Sequence, residues 1–348
     1  MSSLSLVSPC DGDLRAAAVS VHEAFARGVR PVYLDDGTGG VYACRSRLNR
    51  FVGIFKPSDE EPAAPCNPKA HGDIVRPGIP VGQMAVRECM AFLADVDHVA
   101  RVPPTALALA KHDSFNSTRK KLGSFQLYVP HECSAEDVGA SVFAVDDVHA
   151  IACLDIRLLN QDRHTGNLLV QRRSKDTTTA LIPIDHGCCL PELDHLEETT
   201  FAWMTWPQAR MPLTAATRAY IAALDSFAQE KTMKHLRPPP KALLTLHVGT
   251  LFLKKCAAAG LTVADMAQLL VRPVVSMPAP IEGVVGALRH LESHVHMYLR
   301  AFEVALDKLL RRVFPPSATA AASSSVVMRG YGSLSAKSYA KVLLSSAA

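Results

Sequence analysis

The sequence predicts an α+β chain in which a small β-rich part precedes a larger helical part. Short apolar segments with alternating polarity, punctuated by Gly and Pro, dominate residues 31–130. From Val145 onward the apolar spacing changes to three and four, with one β-hairpin set into the helical run. Strands gathered first and helices after is the α+β order, and 348 residues suffice for two lobes. The divisions expected are a lead-in (1–30), a β-rich lobe (31–130), a helical lobe (131–275), a C-terminal helix (276–314) and an Ala/Ser-rich flexible tail (315–348).

In the lead-in, Asp13–Arg27 reads as a helix whose apolar members are Leu14, Val19, Val21 and Phe25. Structure proper is expected to open near Pro31. Asp36 to Gly40 form a turn between strands Pro31–Leu34 and Val41–Arg45, and Arg50–Phe55 follows as the next strand. Such a turn, with Gly39 and Gly40, can bring backbone N–H groups onto phosphates, or be only a hairpin. Lys56 ends the following strand beneath it, placed either to reach the α and β phosphates of ATP or to be solvated.

Residues 58–83, rich in Pro, Gly and acids, read as an irregular loop. Met84–Val96 reads as a helix with Cys89, Phe92, Leu93 and Val96 as its buried stripe. Glu88 borders that stripe, where it can either turn inward to pair with Lys56 or stay on the surface. Val102–Ala110 and Gly123–Val129 are two more strands. The second leads out of the β-rich lobe, where such a strand can offer backbone groups to adenine.

A helix over Val145–Leu159 leads to the stretch on which the functional reading turns. Leu168–Gln171 and Ala180–Ile184 read as strands joined by the polar run RRSKDTTT. A hairpin of that length sets Asn167, before its first strand, beside Asp185, after its second. Two hard oxygen donors at one spot suit a Mg²⁺ shared with phosphates, and Asp162 is then left to orient a hydroxyl and take its proton. The chemistry implied is phosphoryl transfer. Taken singly, each motif could be only a turn or a cap.

The loop after Asp185 lies where an acceptor would be met. Its charges are mostly acidic (Glu192, Asp194, Glu197, Glu198), which does not suit a headgroup already carrying extra phosphates. Trp203 and Trp206 are expected to be buried rather than at a lipid surface. Thr214 caps a helix to about Gln229, Lys241–Ala259 is an apolar helix ending at Gly260, and Thr262 with Asp265 starts Val263–Val271. A last helix over Glu282–Phe314 carries Leu288, Leu291, Val295, Tyr298, Phe302, Ala305 and Leu309 as a stripe expected to pack on the large lobe.

Composition narrows the function classes. A net charge of +4, without a dense basic stripe, excludes nucleic acid as a partner. Nine cysteines without a C-x-x-C pair argue against a zinc site and a disulfide framework, and point to a reduced, cytoplasmic setting. The start of the sequence is not a secretory signal. The longest apolar run, about 243–253, falls well short of the ~20 residues of a membrane helix, so any membrane contact is expected to be peripheral.

The segments DIRLLNQDRHTGNLLV, LIPIDHGCCLPE, FKPSDEEPAAPCNPK, VPPT and WPQAR together resemble the phosphatidylinositol 3/4-kinase family. Within it, the likeness is to the type II-like phosphatidylinositol 4-kinases, especially the plant-type gamma group, over about 37–271. The resemblance implies a two-lobed protein-kinase-like fold that uses ATP and Mg²⁺. It implies that Lys56 binds ATP phosphates with Glu88 in support, and that Asp162 is the catalytic aspartate. Asn167 and Asp185 would hold the metal, His164 would assist at the transferring phosphate, and the backbone of Gln126, Leu127, Tyr128 and Val129 would form the adenine connector. The acceptor it implies is phosphatidylinositol at its 4-hydroxyl. A Ser/Thr protein kinase on the same fold is the alternative, favoured by the acidic loop and the lack of an anchor, and a catalytically weak scaffold that binds partners through its last helix and tail is a third reading. The palmitoylated Cys-rich insert of animal relatives is not matched, so no stable lipid anchor is expected, nor are ubiquitin-like modules. The sequence does not address oligomeric state.

Overall fold

The computed structural model describes residues 2–35, 37–69, 75–115, 119–172 and 179–315. Asp36, the tip of the central hairpin (173–178) and the Ala/Ser-rich tail from 316 lie outside the described residues.

The N-terminal lobe is built on a six-stranded antiparallel sheet. Its strands are β1 (Ser3–Leu6), β2 (Val32–Leu34), β3 (Val41–Arg45), β4 (Phe51–Pro57), β5 (Thr105–Lys111) and β6 (Lys121–Leu127), in the order β1-β5-β6-β4-β3-β2. Structure therefore opens well before Pro31. The segment SLSL is the edge strand, in register with β5 from Ser3 opposite Lys111 to Leu6 opposite Ala108. Four residues carry too little periodicity to announce a strand, and the long-range partner supplies what the pattern lacks.

Helix α1 (Gly12–Ala26) is capped by Asp11, whose side chain accepts from Leu14 N at 2.7 Å. Leu14, Val21 and Phe25 are buried, but Val19 is 55% exposed, so it does not belong to the apolar face expected of it. Ala17, Ala18 and Ala24 line that face instead. Leu14, Ala17, Ala18, Val21 and Phe25 form a small core with Tyr42, Phe55, Phe115 and Phe125 between α1 and the sheet.

Helix α2 (Met84–Ala94) also differs from expectation. Phe92, Leu93 and Val96 are only half-buried, whereas Ala85, Arg87, Glu88, Met90, Ala91 and Ala94 join Cys89 in being buried. A single stripe does not describe a helix covered on two sides. It touches β5 and β6 on one side and the C-terminal lobe on the other, and it belongs to the larger core.

That larger core is mostly helical. A three-stranded sheet, β7 (Cys133–Ser134), β8 (Leu168–Arg172) and β9 (Thr179–Pro183), carries the hairpin, with Leu168 opposite Pro183. Helix α3 (Val145–Leu158) runs through the centre. The segment expected as one helix from Thr214 to Gln229 is two, α4 (Ala215–Ala223) and α5 (Ser226–Met233). Asp225 divides them because its carboxylate accepts from Phe227 N and Ala228 N, both at 3.0 Å, and so caps α5.

Helix α6 (Pro240–Ala258) crosses α3 so closely that a Cβ on Gly249 would lie 2.1 Å from the Arg157 carbonyl oxygen. Helix α7 (Val263–Leu270) starts at a capping box of Thr262 and Asp265. The long last helix is also divided, into α8 (Pro280–Ala287) and α9 (Val295–Val313). Gly283 and Gly286 weaken helix in the first piece, and the chain leaves it at Leu288. Tyr298, Phe302 and Leu309 are buried as α9 packs on α6, while Leu288, Leu291, Val295 and Ala305 are half-buried. Trp203 and Trp206 are buried, at 1% and 8% exposure.

Candidate active site

Three charged groups from three elements meet between the lobes. Lys56, on β4, extends its Nζ to within 2.5 Å of Glu88 Oε1 on α2 and 3.0 Å of Asp185 Oδ1 after β9. The other Glu88 oxygen accepts from the backbone N–H of His186 at 3.0 Å. One nearly buried carboxylate thus ties the lysine and the segment after the hairpin to α2.

Burial alone would lower the Lys56 pKa, but Asp185 and Glu88 outweigh it and hold the ammonium well above its usual range. Burial raises Glu88, against the pull of Lys56. Burial would raise Asp185 too, but Lys56 reverses this and holds its carboxyl at about 2. Asp185 has a backbone φ of 56°, in the left-handed region, which turns the chain sharply out of β9.

The loop between α3 and β8 is fixed from below by Arg163, a residue the sequence reading did not single out. Its guanidinium is fully buried. Nε donates to both oxygens of Asp155 on α3 at 3.1 and 3.0 Å, and Nη1 donates to the carbonyls of Asn167 at 2.6 Å and Ile184 at 2.8 Å. Nη2 lies 2.9 Å from His186 Nε2. One side chain therefore holds both ends of the hairpin in register, which makes Asn167 and Asp185 neighbours. Asp155 is further bound by Asn160 Nδ2 and Trp203 Nε1, each at 2.9 Å. The signal for this hub was present in the sequence: an acid in a central helix and an arginine beside Asp162 are groups that need partners once buried.

Asn167 donates its side-chain amide to the Asp162 carbonyl at 2.9 Å, which leaves its Oδ1 as a donor toward a cation. The Asp162 carboxylate is 30% exposed, and Oδ2 lies 3.4 Å from Arg76 Nη2. Asn167 and Asp185 offer the two hard oxygens that a Mg²⁺ shared with phosphates requires, and so fit that ion.

The remaining expected residues are placed less centrally. The His164 side chain is 55% exposed and accepts from Gly166 N through Nδ1 at 3.1 Å, capping the turn before β8. The glycine turn is docked on the loop after β4 rather than presenting all its amides. Gly40 N–H donates to Glu60 O at 2.9 Å, and a Cβ on Gly40 would meet Glu60 Oε2 at 2.0 Å. Asn67 Nδ2 donates to the carbonyls of Thr38, Glu60 and Glu61 at 2.9, 3.2 and 3.0 Å. Gly40 therefore does not offer its amide to a phosphate, and Gly39 lies against the Glu60 carbonyl. On the connector, Leu127 N–H is taken by Pro104 O at 2.8 Å and Tyr128 N–H by Val52 O at 3.1 Å, while the Gln126 side chain donates to Thr105 Oγ1.

The acidic loop is largely neutralised. Glu192 pairs with Lys241 at 2.5 Å, Asp194 with Arg289 at 2.6 Å and Glu198 with Arg76 at 3.2 Å.

Residues 37–265 match the model of the family described as phosphatidylinositol 3- and 4-kinase. The chain is similar to phosphatidylinositol 4-kinase gamma 6 of Arabidopsis thaliana, 40% identical over 293 residues, which span 76% of this chain and 47% of that protein. It is 39% identical over 281 residues to phosphatidylinositol 4-kinase gamma 1 of the same plant, covering 74% of this chain and 50% of the other. To phosphatidylinositol 4-kinase gamma 4 of Oryza sativa subsp. japonica it is 40% identical over 276 residues, 74% of this chain and 48% of the relative. The chain spans about half the length of the curated relatives it matches.

Proposed function

Since the chain belongs to the phosphatidylinositol 3- and 4-kinase family, we propose that it transfers the γ-phosphoryl group of ATP to the 4-hydroxyl of phosphatidylinositol. The observation that carries this reading is the meeting of Lys56, Glu88 and Asp185 between the lobes. A strand lysine held extended by a helix glutamate, facing an aspartate that follows a hairpin, is the arrangement phosphoryl transfer uses on a two-lobed scaffold.

In this reading Lys56 holds the α and β phosphates, and Glu88 keeps it extended. Asp162 orients the acceptor hydroxyl and receives its proton as the bond to phosphorus forms and ADP leaves. Asn167 and Asp185 would hold Mg²⁺, which supplies charge neutralisation on the β- and γ-phosphate oxygens when bound. His164 keeps Nε2 for the transferring phosphate. The adenine falls to the connector, with Val129 N–H as the donor, because the sheet takes Leu127 and Tyr128. Among the described residues no helix is long and apolar enough to cross a membrane. The acidic loop, one of two features that favoured a protein acceptor, is countered by Lys241, Arg289 and Arg76.

The test is transfer of label from radioactive ATP to phosphatidylinositol vesicles, run beside protein acceptors. Label in a lipid that yields the 4-phosphate after deacylation is expected; label on protein alone would overturn the lipid reading.

A further inference from the structure

Arg76 stands in the irregular stretch between β4 and α2, yet its guanidinium reaches across to the C-terminal lobe. Nη2 lies 3.4 Å from Oδ2 of Asp162 and Nη1 lies 3.2 Å from Oε2 of Glu198. At 23% exposure the side chain is a wall of the cleft rather than a solvated surface charge. Each contact is a single one, longer than the ~2.7–2.9 Å of a strong charge-assisted bond, so the planar fork is not matched by either carboxylate. Among the described residues, the other lysines and arginines nearby are committed. Lys56 is closed between Glu88 and Asp185, Arg163 is buried beneath the loop, and Lys241 and Arg289 serve the far part of the acidic loop.

The acceptor proposed above carries one negative charge, on the phosphodiester that joins the ring to glycerol. Its hydroxyl must come within about 2.6–3.2 Å of the Asp162 carboxylate to be activated. Only one six-membered ring then separates the phosphodiester from Asp162, and among the described residues Arg76 is the cation paired with Asp162. Two phosphate oxygens would fill the fork that two separate carboxylates do not. A headgroup with further phosphates would meet Asp162 and Glu198 with one guanidinium to share.

We infer that Arg76 is an acceptor-specificity residue that leaves Glu198 to bind the phosphodiester of a lipid whose headgroup carries that single phosphate. The inference rests on the lipid-kinase reading, and its test separates the two. Glycerophosphoinositol, which has the phosphodiester, and myo-inositol, which lacks it, are compared as inhibitors competing with phosphatidylinositol. Wild type should favour glycerophosphoinositol about tenfold or more, a difference of about 1.4 kcal/mol. In Arg76→Gln the preference should close to about twofold or less and the KM for phosphatidylinositol should rise about tenfold. Arg76→Lys, which keeps the charge but not the fork, should fall between and guards against a folding defect in the first variant. A preference that survives in Arg76→Gln, with or without a lower kcat, would overturn the role of Arg76 alone, and so would faster turnover of the variant. Wild type that labels no phosphatidylinositol would overturn the lipid-kinase reading, and the inference with it.

Discussion

Asp155 and Arg163 meet as a fully buried ion pair, with Nε 3.1 and 3.0 Å from the two carboxylate oxygens. The pair lies beneath the proposed catalytic loop, and the rest of the guanidinium holds both ends of the hairpin that carries Asn167 and Asp185. Removing one partner strands the other in a site that water does not reach. Asp155→Asn is expected to cost about 3–5 kcal/mol of stability. Urea denaturation followed by tryptophan fluorescence measures this, since Trp203 Nε1 also donates to Asp155.

Asp162→Asn should behave in the opposite way. Its carboxylate is part-exposed, and among the described residues its ion pair is the long one to Arg76. The unfolding midpoint should barely move while kcat falls by on the order of 10²–10³. Single-turnover transfer, with thermal melts as the control, checks both halves.

Glu88→Gln keeps the shape of the side chain but removes the charge that holds Lys56 extended. The lysine is then left to Asp185 alone, so a rise in the KM for ATP and a loss in kcat of about 10²-fold are expected. Steady-state kinetics with varied ATP are the readout. A variant with unchanged ATP dependence would remove Glu88 from the nucleotide site.

Glu61 gives a pH dependence with a definite sign. Its oxygens accept from Gly82 N at 2.7 Å and Ala85 N at 3.1 Å, at the start of α2. Burial pushes its carboxyl up to about 7, although the backbone donors pull it down. Between the ordinary glutamate range and pH 7 the folded form retains a proton that the unfolded chain has released. Stability from this group is therefore full below about pH 4.3 and lost as pH rises through 7, by about 4 kcal/mol at most. Glu61→Gln should flatten the change in urea midpoint between pH 5 and pH 7.5.

Gly249→Ala tests the crossing of α6 over α3. The added methyl would sit 2.1 Å from the Arg157 carbonyl, a backbone atom with no rotamer to yield. A loss of about 1–3 kcal/mol is expected, measurable by urea denaturation.

What could be read from the sequence was set by how local its cause was. The hairpin, the Thr262–Asp265 cap and the strands around Gly37–Gly40 depend on neighbours in the chain, and their patterns were legible. Two kinds of feature were not. The strand SLSL becomes a strand only because β5 lies a hundred residues away, and α2 loses its stripe because a second surface covers it. At the site, Lys56 was visible from its strand, but the partners of Arg76 and Arg163 belong to other elements. The docking of Gly40 on Glu60 depends on a residue twenty positions away and carried no sequence signal.

Helix α2 has one side against β5 and β6 and the other within the core of the helical lobe. A cut between the lobes therefore would not release two self-sufficient halves. Fragments separated near residue 130 would leave Met90, Ala91 and Ala94, all fully buried in the intact fold, facing solvent on the first piece. They should stay together after proteolytic nicking there, and expressed apart they should each be insoluble until mixed.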